Sequence, residues 1–257
     1  MQFTYLSSTV VIKTISEDAK NGTFEVEGLF AGYGLTVGNA LRRTLLSSLP
    51  GAAVTELKIK NAPHEFSTLP GIKEDLVELS LGFKRLRFRM HTDEPQVLTL
   101  KAKGEKVVTA ADIKMSSDVE LMNPEEILAT LTNKDAELDI EVKVERGLGY
   151  SAVEARKEGR LAIGVIAIDA IFTPVQRVNY TTEDMRVGER TDYNRLRLEI
   201  ETDGTISPSS ALHKAANILK DHFEKIAAVV VQETEPVKTT TEIAAAPKKR
   251  GRPKKVQ

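Results

Sequence analysis

The side chains able to do chemistry are few and scattered. Four histidines stand at positions 64, 91, 213 and 222. His213 and His222 are nine residues apart, on opposite sides of any helix that carries both, so they do not share a metal. His64 and His91 have no ligand spacing around them. The chain has no cysteine, which removes a disulfide scaffold, a thiol nucleophile and every cysteine-held zinc or iron–sulfur centre. Gly32, Gly34 and Gly38 have the wrong spacing for a dinucleotide fingerprint, and no Gly-Lys-Ser/Thr follows; they read as tight backbone before a helix. No nucleophile elbow and no aspartate cluster for catalytic magnesium occurs. The carboxylate pairs Glu74-Asp75 and Glu125-Glu126 are expected in first turns of helices, where the macrodipole favours them. No catalytic residue, metal site or bound cofactor is expected in this chain.

The distinctive charge is basic and local. Residues 233–257 carry seven Lys/Arg against three acids, a net of +4, and so leave 29 basic and 34 acidic residues, a net of −5, for residues 1–232. An acidic body with a basic tail aims only the tail at a polyanion. The 257 residues are 41% hydrophobic and 28% charged, ordinary for a globular chain with a sizeable core. No run nears the roughly 18 apolar residues of a membrane span, and the N-terminus lacks the pattern of a secretory signal. A cytoplasmic protein with no membrane partner is expected.

The elements that must position these groups follow from periodicity. Val10 to Ile12 and Phe24 to Glu27 read as strands joined by a turn at Asn21-Gly22. A helix follows, with Thr36 as N-cap and Pro50-Gly51 as its stop. Leu41, Leu45 and Leu49 form its core stripe, while Arg42, Arg43, Leu46 and Ser47 share another face. Residues 52–169 are mostly β, with Leu138, Ile140, Val142 and Val144 alternating against charges. Two short helices interrupt them, one carrying Ile72, Leu76, Leu79 and Phe83, the other opening at Asn123-Pro124. The apolar run Ile163–Ile171 suits a strand covered on both faces. After strand residues Leu196, Leu198 and Ile200 and a turn at Asp203-Gly204, Ser207-Pro208 opens a long helix. On it Leu212, Ala216, Leu219, Phe223, Ile226 and Val230 make an a/d seam of about three heptads. That seam packs either on its own domain or on a second helix. From residue 233 the composition cannot build a core and is expected to be disordered.

Seven motifs in order carry a family resemblance: GLTVGNALRRTLLSSLPG (34–51), HEFSTLPGIKEDL (64–76), VTAADI (108–113), VERGLGY (144–150), TPVQRVNY (173–180), VGERTD (187–192) and ETDGTISP (201–208). Over residues 1–232 the chain resembles the N-terminal assembly region of bacterial RNA polymerase alpha subunits. The resemblance implies an α+β chain whose α/β dimerisation domain is discontinuous, residues 1–51 and 170–232, with a mainly-β domain, 52–169, inserted. It implies a homodimer through the seam just named, and a platform on which the polymerase β and β′ subunits assemble. Arg42 and Arg43, with Leu46, match the family's β-subunit contact; as residues alone they read equally as solvated helix charges. His64, Glu65, Ser67, Thr68, Arg190 and Asp192 match further large-subunit contacts, although His64 also reads as a structural histidine. The chain would then be a subunit of a nucleotidyltransferase, with the catalytic magnesium held by another subunit.

The family usually continues into a compact DNA-binding domain, which these 257 residues lack. In its place stands Lys248-Lys249-Arg250-Gly251-Arg252-Pro253-Lys254-Lys255, similar to an AT-hook. Its arginines suit the narrow, strongly negative minor groove of A·T-rich DNA, glycine allows close backbone approach, and the lysines add phosphate contacts. A tail binding polyanions without preference is the plainer reading. The rival function is a free-standing nucleoid protein that bundles DNA, for which the Arg42-Arg43, HEFST and VGERTD motifs would be superfluous. A magnesium-dependent enzyme is more distant, for want of acids.

Overall fold

The structure, a computed structural model, describes residues 8–156 and 164–229. Val230 and the basic stretch 248–255 lie outside the described residues. The chain opens with strands β1 (Val11–Glu17) and β2 (Asn21–Leu29), paired antiparallel. Their turn falls at Asp18–Asn21 and not at the expected Asn21-Gly22. Asp18 Oδ1 accepts from the backbone N–H of Asn21 and Lys20 at 2.6 and 2.8 Å, bonds that also hold this carboxyl below its ordinary range. Gly22 serves packing instead, since a Cβ there would lie 2.5 Å from Pro208 Cβ. Helix α1 (Tyr33–Ser47) starts after Gly32, whose φ of 83° suits glycine. Thr36, expected as N-cap, therefore lies inside the first turn. The cap comes from far away: Asn194 Oδ1 accepts from Gly32 N at 2.8 Å and Gly34 N at 3.4 Å.

The insert begins with β3 (Pro50–Ile59). Helix α2 (Leu76–Lys84) is capped by Asp75, which accepts from Glu78 N at 2.7 Å. Ile72 precedes that helix and bridges to Leu131, so the expected helical stripe starts one turn later. Then come β4 (Phe88–Met90), β5 (Gln96–Lys103), β6 (Lys106–Thr109), β7 (Ile113–Lys114), β8 (Val119–Leu121), β9 (Ile127–Leu131) and β10 (Glu137–Leu148). Short β11 (Tyr150–Ser151), α3 (Val153–Arg156), β12 (Val165–Ala167) and β13 (Ala170–Ile171) complete it. The main sheet runs β7-β5-β10-β3-β4-β8, with β12 also beside β3. The helix expected at Asn123-Pro124 is a turn. Asn123 spends its side chain on the backbone of Arg87 (2.9 Å) and Arg85 (3.1 Å), and the next residues enter β9. The run to Ile171 is likewise two short strands, interrupted at Asp169, whose carboxylate is committed to Lys84 and Val153 N.

The chain then returns through β14 (Val175–Val187), β15 (Arg190–Thr202) and α4 (Pro208–Ala227), the last capped by Ser207 with Pro208 in its first turn. Because β15 pairs with β2, the sheet β1-β2-β15-β14 joins both ends of the chain around the insert. Helices α1 and α4 cover its inner face: Leu41, Leu45 and Leu49 meet Phe24, Val178, Leu198 and Ile200, and α4 adds Ala211 and Ala215. Gly38 lets α1 settle close, since a Cβ would sit 2.7 Å from the Tyr180 ring. The outer face is charged, with Lys13–Glu27–Arg195–Glu183 forming a ladder at 2.6, 3.2 and 3.8 Å. Such exposed pairs contribute little stability but keep the face solvated. Arg89 ties the insert to the returning chain by donating from Nε to Thr205 O at 2.9 Å.

Candidate functional site

On α1 the core stripe is spent on the sheet, which leaves Arg42 and Arg43 exposed and Leu46 half-buried beside them. Among the described residues neither arginine makes an ion pair within 4.0 Å. Ser47 Oγ donates to Arg43 O at 2.8 Å, so the last turn is closed and its side chains are held on one face. Two unpaired guanidiniums beside a half-buried apolar side chain form a surface that can take carboxylates and pack at once.

A chain of contacts leads from this turn to the insert. Gly149 abuts Ser47, with its absent Cβ 3.4 Å from Ser47 O. Next to it Tyr150 is 60% exposed, with the Lys84 ammonium 5.9 Å from its ring centre. Lys84 pairs with Asp169 at 3.1 Å. Val153 N and Lys84 hold the Asp169 carboxyl below its ordinary range, and Asp169 in turn raises the Tyr150 phenol. Beyond them opens a groove of about 380 Å³ bordered by Glu65, Phe66, Leu81 and Ile166. Phe66 is 77% exposed there. The loop bearing it is held by Ser67, whose Oγ donates to His64 O at 2.6 Å and lies 3.1 Å from His64 Nδ1. His64 thus serves the loop's own geometry, while Glu65 and Thr68 stay exposed.

Arg190 and Asp192 lie elsewhere, at the tip of the β14–β15 hairpin beside the start of α1. They form a two-pronged pair at 3.0 and 2.6 Å, which lowers the Asp192 carboxyl and raises Arg190. The guanidinium also stands over Phe30 (4.9 Å) and Tyr193 (5.5 Å). The two groups therefore occupy opposite ends of α1, with Arg42, Arg43, Leu46 and the 64–68 loop reached from one end and Arg190 and Asp192 from the other.

Helix α4 is two-faced. Ala211 and Ala215 are buried, and Leu212, Ile218 and Leu219 are half-buried and pack against the domain core, so Leu212 and Leu219 of the expected seam are partly spent on their own domain. Ala216 is exposed, and Phe223 and Ile226 are 62% and 66% exposed. Of the expected seam, Ala216, Phe223 and Ile226 are the exposed members; the buried alanine face was missed, because alanines at 211, 215 and 216 look alike until packing chooses between them. It also missed Phe66 and Tyr150, single aromatics with no periodic signal. Among the described residues no helix is long and apolar enough to cross a membrane, and no group of three or more His, Asp or Glu could hold a metal ion.

Comparison with known proteins agrees with this architecture. The family described as RNA polymerase Rpb3/RpoA insert domain matches residues 57–173. A DNA-directed RNA polymerase subunit alpha from Symbiobacterium thermophilum is 52% identical over 210 residues, covering 82% of this chain and 66% of that protein. The namesake from Moorella thermoacetica is 50% identical over 206 residues, covering 80% of this chain and 66% of the relative. That from Roseiflexus sp. is 47% identical over 229 residues, covering 89% and 70%. The chain thus spans just under two thirds of the length of the first two relatives. At this identity, over both the insert and the sheet that encloses it, the chain belongs to the family of DNA-directed RNA polymerase alpha subunits.

Proposed function

We propose that this chain is the alpha subunit of a bacterial DNA-directed RNA polymerase, acting as a homodimeric platform for assembly and holding no catalytic group or magnesium itself. The observation that carries this reading is α4, which packs on α1 and the sheet through Ala211, Ala215, Leu212, Ile218 and Leu219 and presents Phe223 and Ile226 to solvent. A helix that exposes its largest apolar side chains contributes most when a second copy covers them, at about 1.5–3 kcal/mol for each fully buried. The β and β′ subunits dock on Arg42, Arg43 and Leu46, with the 64–68 loop and the Arg190–Asp192 hairpin as further contacts. Residues 248–255 add A·T-rich DNA binding to that role.

The test is capture of tagged protein from its native lysate, washed with nuclease and high salt so that contacts bridged by DNA are removed. Two very large polypeptides in near-equal amount, held by wild type and lost with Arg43→Ala, support the platform. Recovery of the chain alone after nuclease contradicts it and favours a nucleoid protein. Removing residues 247–257 should weaken binding to A·T-rich duplex more than to G·C-rich duplex; equal weakening would leave a tail that binds polyanions without preference.

A further inference from the structure

A cleft of about 260 Å³ lies where the insert meets α4, away from the surfaces described above. Ala52, Phe88 and Met90 border it with backbone, their side chains being spent on the core of the insert. Its other lining includes four basic side chains from separate parts of the chain: Arg89 of β4, His91 just after it, Arg146 of β10 and Lys214 of α4. The acids that answer them are two, and neither lines the cleft. Glu120 lies 3.3 Å from Arg89 and 3.8 Å from His91. Asp93 pairs with Arg146, but its side chain is 85% exposed, so solvent competes for it. Lys214 makes no ion pair within 4.0 Å among the described residues. Its neighbours on the helix, Ser210, Ala211, Asn217 and Ile218, supply no carboxylate.

We propose that this cleft binds a small phosphate-bearing anion, gripped by Arg146 from the insert and Lys214 from α4. Arg89 stays in place as a wall, because its guanidinium is already spent on Thr205 O, Gly204 O and Glu120. The anion displaces the exposed Asp93 carboxylate, 2.5 Å from Arg146 Nη1, and the freed guanidinium fork binds two phosphate oxygens side by side while the Lys214 ammonium neutralises a third. An occupant touches both domains, so its binding stiffens the junction between the insert and α4. The site lies within one chain and does not rest on the assembly reading.

The probe is inorganic pyrophosphate, titrated calorimetrically into the full chain at constant ionic strength, with sodium sulfate and sodium chloride as matched controls. The expected result is one saturable site per chain that prefers pyrophosphate to sulfate. Affinity should be about tenfold weaker in Lys214→Gln and in Arg146→Gln, the loss typical of one charge-assisted contact. The basic tail is common to all these chains, so its own binding cancels in the comparison. Equal melting temperatures of wild type and Lys214→Gln without anion would confirm an intact fold; a shifted melt transfers the test to Arg146→Gln. No saturable binding, equal affinity in wild type and variant, or sulfate binding as tightly as pyrophosphate would each overturn the proposal.

Discussion

The insert and the domain that encloses it are of similar size, yet they bury their apolar residues very differently. Among the described residues, the insert gathers 29 buried apolar residues in one continuous core, closed by α2 and its sheets. Among the described residues, the enclosing domain has ten in one cluster and three in another, with helices on one face of its sheet. It leaves Phe223 and Ile226 on α4 and Val11 and Ile12 on the edge strand exposed. Both regions also leave large apolar side chains in solvent, Phe66, Leu81 and Val97 on the insert as well as Phe223 and Ile226 on α4. What sets α4 apart is that its exposed pair stands one turn apart on a single helix face, which one partner surface covers in the proposed dimer.

Substitutions can sharpen that contrast, and the largest effect belongs to the closed core. Phe83 on α2 is fully buried, so Phe83→Ala should destabilise the insert by about 3–5 kcal/mol in urea unfolding, with little change in self-association. A comparable change in subunit mass would show the two regions are not separable. Next comes the seat of α1. Gly38→Ala forces a methyl against Tyr180 and should lose about 1–3 kcal/mol of stability, read as a lower melting temperature. Asn194→Ala removes the long-range cap of α1 and should lose about 1 kcal/mol, seen first as faster amide exchange at Gly32 and Gly34.

The smallest effect is one of pH, inside the insert. The Lys106 ammonium, 2.9 Å away, and then Thr109 N hold the Asp112 carboxyl below its ordinary range. A depressed native pKa means stabilisation that is present above the unfolded value of about 3.9 and lost as pH falls through the folded value. Asp112→Asn should therefore lower stability at neutral pH by a fraction of a kcal/mol, change it little at low pH, and so flatten the acid limb of the stability curve. An unchanged acid limb would show that this pair contributes nothing.

Much of the fold was legible because it depends on local pattern. The alternation from Leu138 to Val144 became β10, the Leu41–Leu45–Leu49 stripe faced the sheet, and Ser207-Pro208 opened α4. The misreadings share a cause, which is that distant partners overrode local signals. Thr36 lost the cap of α1 to Asn194, and Asn123 lost its helix to the backbone of Arg85 and Arg87. Asp169 broke an apolar run because Lys84 and Val153 claimed its carboxylate. The same limit governs the candidate site. Arg42-Arg43 is a motif visible in one helix, whereas its link to the insert through Gly149, Tyr150 and Lys84 joins segments with no shared period.

In the proposed dimer the exposed face of α4 is the interface between two copies of this chain. Sedimentation equilibrium of the 257-residue chain measures it, with Phe223→Glu as the disrupting variant and Arg197→Gln, on the charged outer face, as the control. The account predicts a dimer for wild type and for Arg197→Gln. It predicts association at least about a hundredfold weaker for Phe223→Glu, because a charge would be buried unpaired. A monomeric wild type, or a Phe223→Glu protein that remains dimeric at the same concentrations, would contradict it.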